Sequence, residues 1–321
     1  MDAAVITTGG QLPVVARREP PRPGDGQLRV RVAAAPITPL DVLCATGTSY
    51  FGPPATPYIP GVQGVGHLED GTPVWFATAA GMRPGDGSMA EHCVVPYADV
   101  VALPDGVDTL LAALGLSAVA ALMALTWRGE LRAGEQVMVL GAGGVVGQAA
   151  VQLARLHGAR RVVVAARSAA ARDRARTLGA DAVVALGGAD DVGALAARLR
   201  DACDGPVDLV LDPLFGLPAA AALRTLGPHG RLVNLGSSAG EQASLDSATL
   251  RSRSLRVLGY TNNELDVAQR AAAIRAIAGH IAVGRLTATH ETVPLAGVAD
   301  AWARQAEGRA TGRIVLTMPP P

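Results

Sequence analysis

The hydrophobic pattern changes along the chain from short, interrupted apolar runs to longer alternating ones. In the first third, the apolar segments 28–34, 72–77 and 91–96 are separated by loops rich in Pro and Gly. Such punctuation is typical of strands in an irregular β-rich domain. From about residue 115, alanine-rich stretches alternate with short runs of Val and Leu. This change predicts a domain boundary near that residue.

The later pattern predicts six strands that alternate with four helices. The strands are expected at 136–140, 161–165, 182–186, 207–212, 231–236 and 255–260, and the helices at 145–157, 169–178, 191–202 and 217–226. Gly158 and Gly179 follow the first two helices, where a left-handed residue commonly ends a helix. Apolar strands alternating with helices predict an α/β fold with a doubly wound parallel sheet.

Composition narrows the class of protein. The 321 residues are 49% hydrophobic and 17% charged, which is ample for two buried cores. The 28 basic residues are all arginine and balance 28 acidic residues, so no cationic excess favours nucleic acid. Cys44, Cys93 and Cys203 lack C-x-x-C spacing and predict neither disulfides nor a cysteine zinc site. The pattern shows no signal peptide and predicts no membrane span, so we expect a cytoplasmic protein without a membrane partner.

A glycine-rich loop, GAGGVVG at 141–147, joins the first strand of the alternation to its helix. A dinucleotide pyrophosphate binds backbone N–H groups at a helix amino terminus, and residues without Cβ allow that close approach. The alternative is a tight turn without a ligand, but the position after the first strand favours a dinucleotide. The predicted contacts are Gly141, Gly143, Gly144, Val145, Val146 and Gly147.

The end of the second predicted strand indicates which dinucleotide is bound. An acidic residue there would bind the adenosine ribose of NAD, but this chain has Ala165, Ala166, Arg167 and Ser168. The Arg167 guanidinium and the Ser168 hydroxyl are suited to a 2′-phosphate, which favours NADPH over NADH. The alternative is that Arg167 is a solvated residue at a helix start.

The order of motifs resembles that of the medium-chain dehydrogenase/reductase superfamily over nearly the whole chain. The similar segments are ITPLDVLCATGTSY (37–50), IPGVQGVG (59–66), GSMAEHCVVP (87–96), GLSAVAAL (115–122), GAGGVVG (141–147) and TGRIVL (311–316). The resemblance implies a GroES-like catalytic domain at 1–115, an NADPH-binding Rossmann domain at 116–262 and a return to the catalytic domain at 263–321. It also implies a homodimer formed by edge pairing of the nucleotide-binding sheets.

The resemblance places Thr38, Val62 and Gln63 at positions that hold the catalytic zinc in related alcohol dehydrogenases. None of the three is a good Zn²⁺ ligand. His67 and His92 lack a matching ligand set, and we interpret them as surface or core histidines. A zinc-free quinone oxidoreductase or enoyl reductase acting on a small molecule is therefore expected. Zinc-free reduction of a carbonyl, or oxidation of an alcohol, is the alternative.

Further site residues follow from the resemblance. Tyr50, in GTSY, would donate a proton, or would instead pack under the loop 51–60. Thr38 would donate to the substrate oxygen, and Asp41 would fix a loop or cap a helix. Arg313 would reach the cofactor phosphates. The remaining predicted cofactor contacts are Ser117, Leu235, Gly236, Ser237 and Tyr260.

Two hypotheses from other classes of function stay open. GSSAG at 236–240 spells G-x-S-x-G, so Ser238 would be the nucleophile of a serine hydrolase if a helix began there. His280 and His290 follow it, although the next segment, EQASLDS, is polar. A non-catalytic protein that binds NADPH is the other hypothesis, since a fold does not guarantee turnover.

Overall fold

The computed structural model describes residues 1–103, 109–187 and 191–319. The chain divides into two compact units. The first contains Met1–Gly115, Val267–Gly284 and Ala288–Pro321, and the second contains Leu116–Asp266 and Arg285–Thr287.

Strands and helices are numbered here in chain order. The strands are β1 Asp2–Val5, β2 Val14–Arg17, β3 Gln27–Ile37, β4 Gln63–His67, β5 Pro73–Ala77, β6 His92–Pro96, β7 Val100–Ala102, β8 Gln136–Leu140, β9 Arg161–Ala166, β10 Ala182–Ala185, β11 Val207–Asp212, β12 Leu226–Asn234, β13 Arg256–Gly259, β14 His290–Pro294 and β15 Arg313–Thr317. The helices are α1 Pro39–Thr46, α2 Thr109–Met123, α3 Val145–Leu156, α4 Ala169–Thr177, α5 Val192–Asp201, α6 Gly216–Leu223, α7 Ser247–Ser252, α8 Val267–Ala282 and α9 Val298–Ala306. A π-helical turn, Ala124–Arg128, follows α2.

The first unit is built on a mixed sheet with the order β14-β15-β3-β4-β5-β7, and β6 also pairs with β3. Strands β1 and β2 form a separate antiparallel pair. Successive side chains of β3 point to opposite faces of the sheet, so Val30 and Val32 lie in the core while Arg29 and Arg31 lie on the other face. The core includes Phe76. These features confirm a GroES-like β-rich domain.

The second unit contains a six-stranded sheet with the order β10-β9-β8-β11-β12-β13, and every strand pair in it is parallel. All five residues of β8 are buried, which fits a sheet covered on both faces. The predicted α/β fold with a doubly wound, Rossmann-type sheet is therefore confirmed.

Two details of the sequence pattern were wrong. The helix predicted at 217–226 ends at Leu223, and β12 begins at Leu226, which pairs with Val207 of β11. The pattern also predicted no segment able to cross a membrane, but the helical segment Thr109–Arg128 is long and apolar enough, with a mean hydropathy of 2.1. The segment is rich in Ala and Leu, and these residues give it its high mean hydropathy. Because 61% of its most apolar window is buried inside the protein, it resembles a core helix.

Candidate functional site

The glycine-rich loop of the second unit connects β8 to α3, as the sequence predicts. Gly141 has φ of 74°, a left-handed conformation that favours glycine. A Cβ on Gly147 would lie 2.5 Å from Ala142 Cα and 2.7 Å from the Gly141 carbonyl oxygen. Gly147 therefore lets α3 pack directly against the loop that precedes it.

The amino terminus of α3 carries no side-chain cap. Its N-cap is Gly144, in extended conformation, and Gly143 and Gly144 are exposed. By contrast, Ser168 caps α4 and Asp191 caps α5 through their side chains. The first N–H groups of α3 are thus left for an external acceptor, and the positive end of the helix dipole favours an anion.

The end of β9 lies beside this loop. A Cβ on Gly143 would lie 3.5 Å from Ala171 Cβ, in the first turn of α4. Arg167 is exposed, and its guanidinium makes no hydrogen bond or ion pair within the described residues. The Ser168 hydroxyl accepts from Ala171 N at 3.1 Å, which leaves its proton available.

Sequence reasoning missed a second guanidinium at this strand end. Arg172 donates to the carbonyl oxygens of Ala166 at 3.2 Å and Arg167 at 2.6 Å. Its position in the first turn of α4, four residues after Ser168, was the available signal.

Leu235, Gly236 and Ser237 form the loop that follows β12, at the carboxyl edge of the sheet. Open α/β sheets bind ligands at this edge. Tyr260, just after β13, donates to Asn262 Oδ1 at 2.7 Å, and Asn262 Nδ2 donates to the Leu116 carbonyl at 3.0 Å. Tyr260 thereby links the end of β13 to the chain next to Ser117.

In the first unit, Thr38 and Asp41 form a capping box at the start of α1. Thr38 Oγ1 donates to Asp41 Oδ2 at 2.5 Å and accepts from Asp41 N at 3.2 Å. Asp41 Oδ1 accepts from Val62 N at 3.0 Å. The interpretation of Asp41 as a residue that caps a helix and fixes a loop is confirmed, and the Thr38 hydroxyl is engaged within the cap.

In this chain, the positions that hold zinc ligands in related alcohol dehydrogenases do not carry a set of metal-binding side chains. Val62 is buried and apolar, and Gln63 Oε1 accepts from Trp75 Nε1 at 3.1 Å. Among residues 1–103, 109–187 and 191–319, no three His, Cys, Asp or Glu side chains lie together as a metal site would require.

The alternative that Tyr50 packs under the loop 51–60 was wrong. Tyr50 is 80% exposed, and its ring lies against Phe51 with centroids 4.4 Å apart. The buried tyrosine of this loop is Tyr58, whose hydroxyl has no hydrogen-bond partner in the described part of the chain. Burial, reinforced by the charge of Asp41, raises the pKa of Tyr58.

Arg313 lies buried in the first unit, where Nη1 donates to the Ile37 carbonyl at 3.0 Å. Burial lowers the pKa of Arg313 to about 10, although the negative charge of Asp41 acts to raise it. The predicted contact of Arg313 with cofactor phosphates stays a prediction, and in this structure the side chain braces the strand that leads to Thr38.

The geometry required of a serine hydrolase is not formed around Ser238. Residues 235–240 are not helical, and the next helix, α7, begins only at Ser247. Ser238 Oγ instead donates to the Pro213 carbonyl at 3.2 Å. A nucleophile elbow needs a strand that turns directly into a helix.

Comparisons with known proteins agree with this architecture. A family model described as zinc-binding dehydrogenase matches residues 145–278. A phenolphthiocerol/phthiocerol polyketide synthase of Mycobacterium tuberculosis is 33% identical over 93% of this chain, but the chain spans only 14% of the length of that protein. Quinone oxidoreductase-like protein 2 of Bos taurus is 28% identical, covering 95% of this chain and 89% of its own.

A solved structure extends the likeness to three dimensions. Quinone oxidoreductase from Thermus thermophilus, described together with its NADPH complex, has a TM-score of 0.83 and 28% identity. The match covers 99% of this chain and 100% of the other.

Proposed function

Because the chain belongs to the medium-chain dehydrogenase/reductase superfamily, we propose that it is an NADPH-dependent oxidoreductase that acts on a quinone or an activated C=C bond without a metal. The activated bond would be that of an enone or an enoyl thioester. The observation that carries the proposal is the uncapped, glycine-lined amino terminus of α3 beside the exposed Arg167.

The second unit holds the groups that would bind the cofactor. The main-chain N–H groups at the start of α3 would bind the pyrophosphate, so a lysine side chain is not required at this site. Arg167 and the Ser168 hydroxyl would bind the 2′-phosphate as charge-assisted donors. No carboxylate at the end of β9 opposes that phosphate, so NADPH is preferred to NADH.

NADPH, when bound, supplies a hydride from its nicotinamide ring. The chain must then stabilise the negative charge that develops on the substrate oxygen. Thr38 would do so only by exchanging Asp41 Oδ2 for the substrate as the acceptor of its proton. Tyr50, which is exposed, would hold a proton at Oη for transfer to the product.

Conjugated acceptors are favoured because their charge is delocalised. Hydride addition converts a quinone to a hydroquinone anion and an enone or enoyl thioester to an enolate, and each anion then takes up one proton. Hydrogen-bond donors suffice to stabilise such delocalised charge. Simple carbonyl reduction gains more from a Lewis acid, and Thr38, Val62 and Gln63 do not form a zinc site. The similarity to a quinone oxidoreductase-like protein supports the quinone class.

A panel assay of NADPH oxidation tests the proposal. The acceptors are 1,4-benzoquinone, 9,10-phenanthrenequinone, crotonyl-CoA and simple enones, with NADH in place of NADPH as the cofactor control. Turnover with one of these classes, and a preference for NADPH, are expected. Turnover of simple ketones alone would favour carbonyl reduction.

Two other outcomes would support the remaining hypotheses. NADPH binding without any turnover would favour a non-catalytic protein. Covalent labelling of Ser238 by a fluorophosphonate would restore the hydrolase hypothesis despite the loop geometry.

A further inference from the structure

The first unit has a basic cleft on the outer face of its sheet. The cleft has a volume of about 440 Å³ and is lined by Arg29, Arg31, His67 and His92, with Leu68 and Glu69 at its side. These basic residues belong neither to the glycine-rich loop nor to the α1 cap described above. We call this site the Arg31 cleft.

The register of three strands aligns the basic side chains. Arg31 of β3 lies directly opposite His67 of β4 on one side and His92 of β6 on the other. Directly opposite residues in antiparallel strands project from the same face of the sheet. Arg29, two residues before Arg31, lies on that face as well. The Arg31 guanidinium therefore lies beside two imidazole rings that carry a positive charge only when they are protonated.

The charges in the cleft are only partly compensated within the protein. Arg29 Nη2 pairs with Glu69 Oε1 at 2.7 Å. Arg31 is exposed, and its guanidinium forms no hydrogen bond or ion pair within the part of the chain that the structure describes. The Nδ1 atoms of His67 and His92 are shielded from solvent and have no hydrogen-bond partner among the described residues.

We propose that the Arg31 cleft binds a phosphate-like oxyanion between the Arg31 guanidinium and the rings of His67 and His92. Arg31 presents a planar set of donors that matches two oxygens of such an anion. Each imidazolium adds a donor once it is protonated. The site lies wholly in the first unit, so it does not depend on the proposed redox function.

The charges around the cleft set its pH dependence. Burial lowers the pKa of His92, and the positive charges of Arg29, the amino terminus and Arg31 add to this effect against Glu91. Glu69 faces the same cleft through its pair with Arg29. An anion between the rings favours their protonated forms, so its binding raises the pKa of His92 and is tighter at lower pH.

The test follows the six histidine rings by NMR while inorganic phosphate or methyl phosphate is added at constant ionic strength. In spectra recorded at a pH of about 6, only the His67 and His92 signals should shift to saturation. Single variants His67→Gln and His92→Gln assign the two signals. The readout belongs to these rings, so phosphate bound elsewhere in the chain does not enter it.

Arg31→Gln should weaken phosphate binding about tenfold, which corresponds to the loss of one charge-assisted contact. Arg22→Gln removes the same charge from an exposed loop residue and should leave the affinity within about twofold of the original.

Saturation by phosphate but not by methyl phosphate would identify free phosphate as the ligand, and saturation by both would admit a phosphate monoester. The proposal is wrong if neither anion moves the two signals at tens of millimolar, or if Arg31→Gln binds phosphate as tightly as the original chain.

Discussion

The side-chain amide of Asn234 binds the carbonyl oxygen and the carboxylate of Asp212 at the same time. Asn234 Nδ2 lies 3.1 Å from Asp212 O, 3.1 Å from Asp212 Oδ2 and 2.8 Å from the Gly236 carbonyl oxygen. Asp212 Oδ1 accepts from the N–H groups of Leu214 and Phe215 at 2.9 and 2.8 Å. This pair, in which Asp212 is fully buried and Asn234 partly buried, therefore braces the loops that follow β11 and β12, including the predicted cofactor contacts at 235–237.

Replacing Asn234 by alanine tests this brace. The substitution leaves Asp212 Oδ2 and the Gly236 carbonyl without their donor, so we expect a loss of about 1–3 kcal/mol in the free energy of unfolding. The loop at 235–237 should also become less ordered, which raises KM for NADPH. Chemical denaturation and steady-state kinetics measure the two effects. Gln242→Ala removes an amide from an exposed position nearby in sequence and should change neither quantity. An unchanged KM for NADPH in Asn234→Ala would show that the brace is purely structural.

Gly147→Ala should disrupt the cofactor loop. The new Cβ would meet the backbone at Ala142 and Gly141 within 2.7 Å, and backbone atoms cannot move aside as a flexible side chain does. We expect a loss of about 1–3 kcal/mol in stability and a loss of NADPH affinity of about tenfold or more. Fluorescence titration with NADPH and thermal unfolding provide the measurements.

A matched control for Gly147→Ala lies in α8. A Cβ on the exposed Gly279 would meet no atom within 4 Å. Gly279→Ala should therefore stabilise the protein by about 0.5–1 kcal/mol, through the better helix propensity of alanine, and leave NADPH affinity unchanged. Equal behaviour of the two variants would contradict the role given to Gly147.

Arg167 should set the preference for NADPH. Arg167→Gln removes the guanidinium that would pair with the 2′-phosphate, so KM for NADPH should rise about tenfold while KM for NADH stays the same. Arg200→Gln, on an exposed turn of α5, should leave both values unchanged. If Arg167→Gln keeps the original ratio of the two KM values, Arg167 is only a solvated residue at a helix start, and Arg172 becomes the next candidate.

Periodicity alone was sufficient to predict the Rossmann sheet and its glycine-rich loop. Strands β8 and β9 are apolar throughout after their first residue, and α3 starts at the residue where the glycine pattern predicts it, Val145. These features can be predicted from the sequence because a buried parallel strand and a helix terminus each need particular residue types that are close together in the sequence.

Contacts between distant segments were not predictable. The Asp212–Asn234 pair depends on the parallel register of β11 and β12, in which these two residues are direct partners. The burial of Tyr58 rather than Tyr50 depends on the packing of the Pro-rich loop, where the Tyr58 hydroxyl approaches Gly81. The row of Arg31, His67 and His92 likewise appears only once three strands are paired.

Strand β13, at one of the two edges of the parallel sheet, predicts self-association. Strand β13 pairs only with β12 within the described residues, and its Val257 is 40% exposed. Edge strands carry unpaired N–H and C=O groups that join readily to another strand, so we expect a homodimer formed by two β13 edges. Light scattering during size-exclusion chromatography should give twice the chain mass. Val257→Asp should shift it toward the monomer, whereas Val283→Asp, at a position 65% exposed, should not. A monomeric original chain would contradict this prediction.

The buried ion pair between Arg231 and Glu135, in the second unit, should make the free energy of unfolding depend on pH. Arg231 Nη1 and Nη2 donate to Glu135 Oε1 and Oε2, each at 2.8 Å, and both residues are largely buried. Burial raises the pKa of Glu135, but the Arg231 guanidinium and the Arg132 N–H outweigh burial and bring it below its ordinary value of 4.5. A carboxyl whose pKa is lower in the folded state stabilises the protein above its unfolded pKa, and this contribution is lost as the pH falls through the folded value.

Glu135→Gln keeps the size of the side chain but leaves the Arg231 charge without its partner. At pH 7 we expect a loss of about 2–4 kcal/mol in the free energy of unfolding, as for other broken buried pairs. The difference between the variant and the original chain should narrow as the pH falls below 4.5, because protonation then removes the same charge from Glu135. Urea denaturation across this pH range measures both effects. Glu307→Gln breaks the exposed pair with Arg309 and should leave stability nearly unchanged. A constant difference at every pH would mean that Glu135 stabilises the unit by packing rather than by its charge.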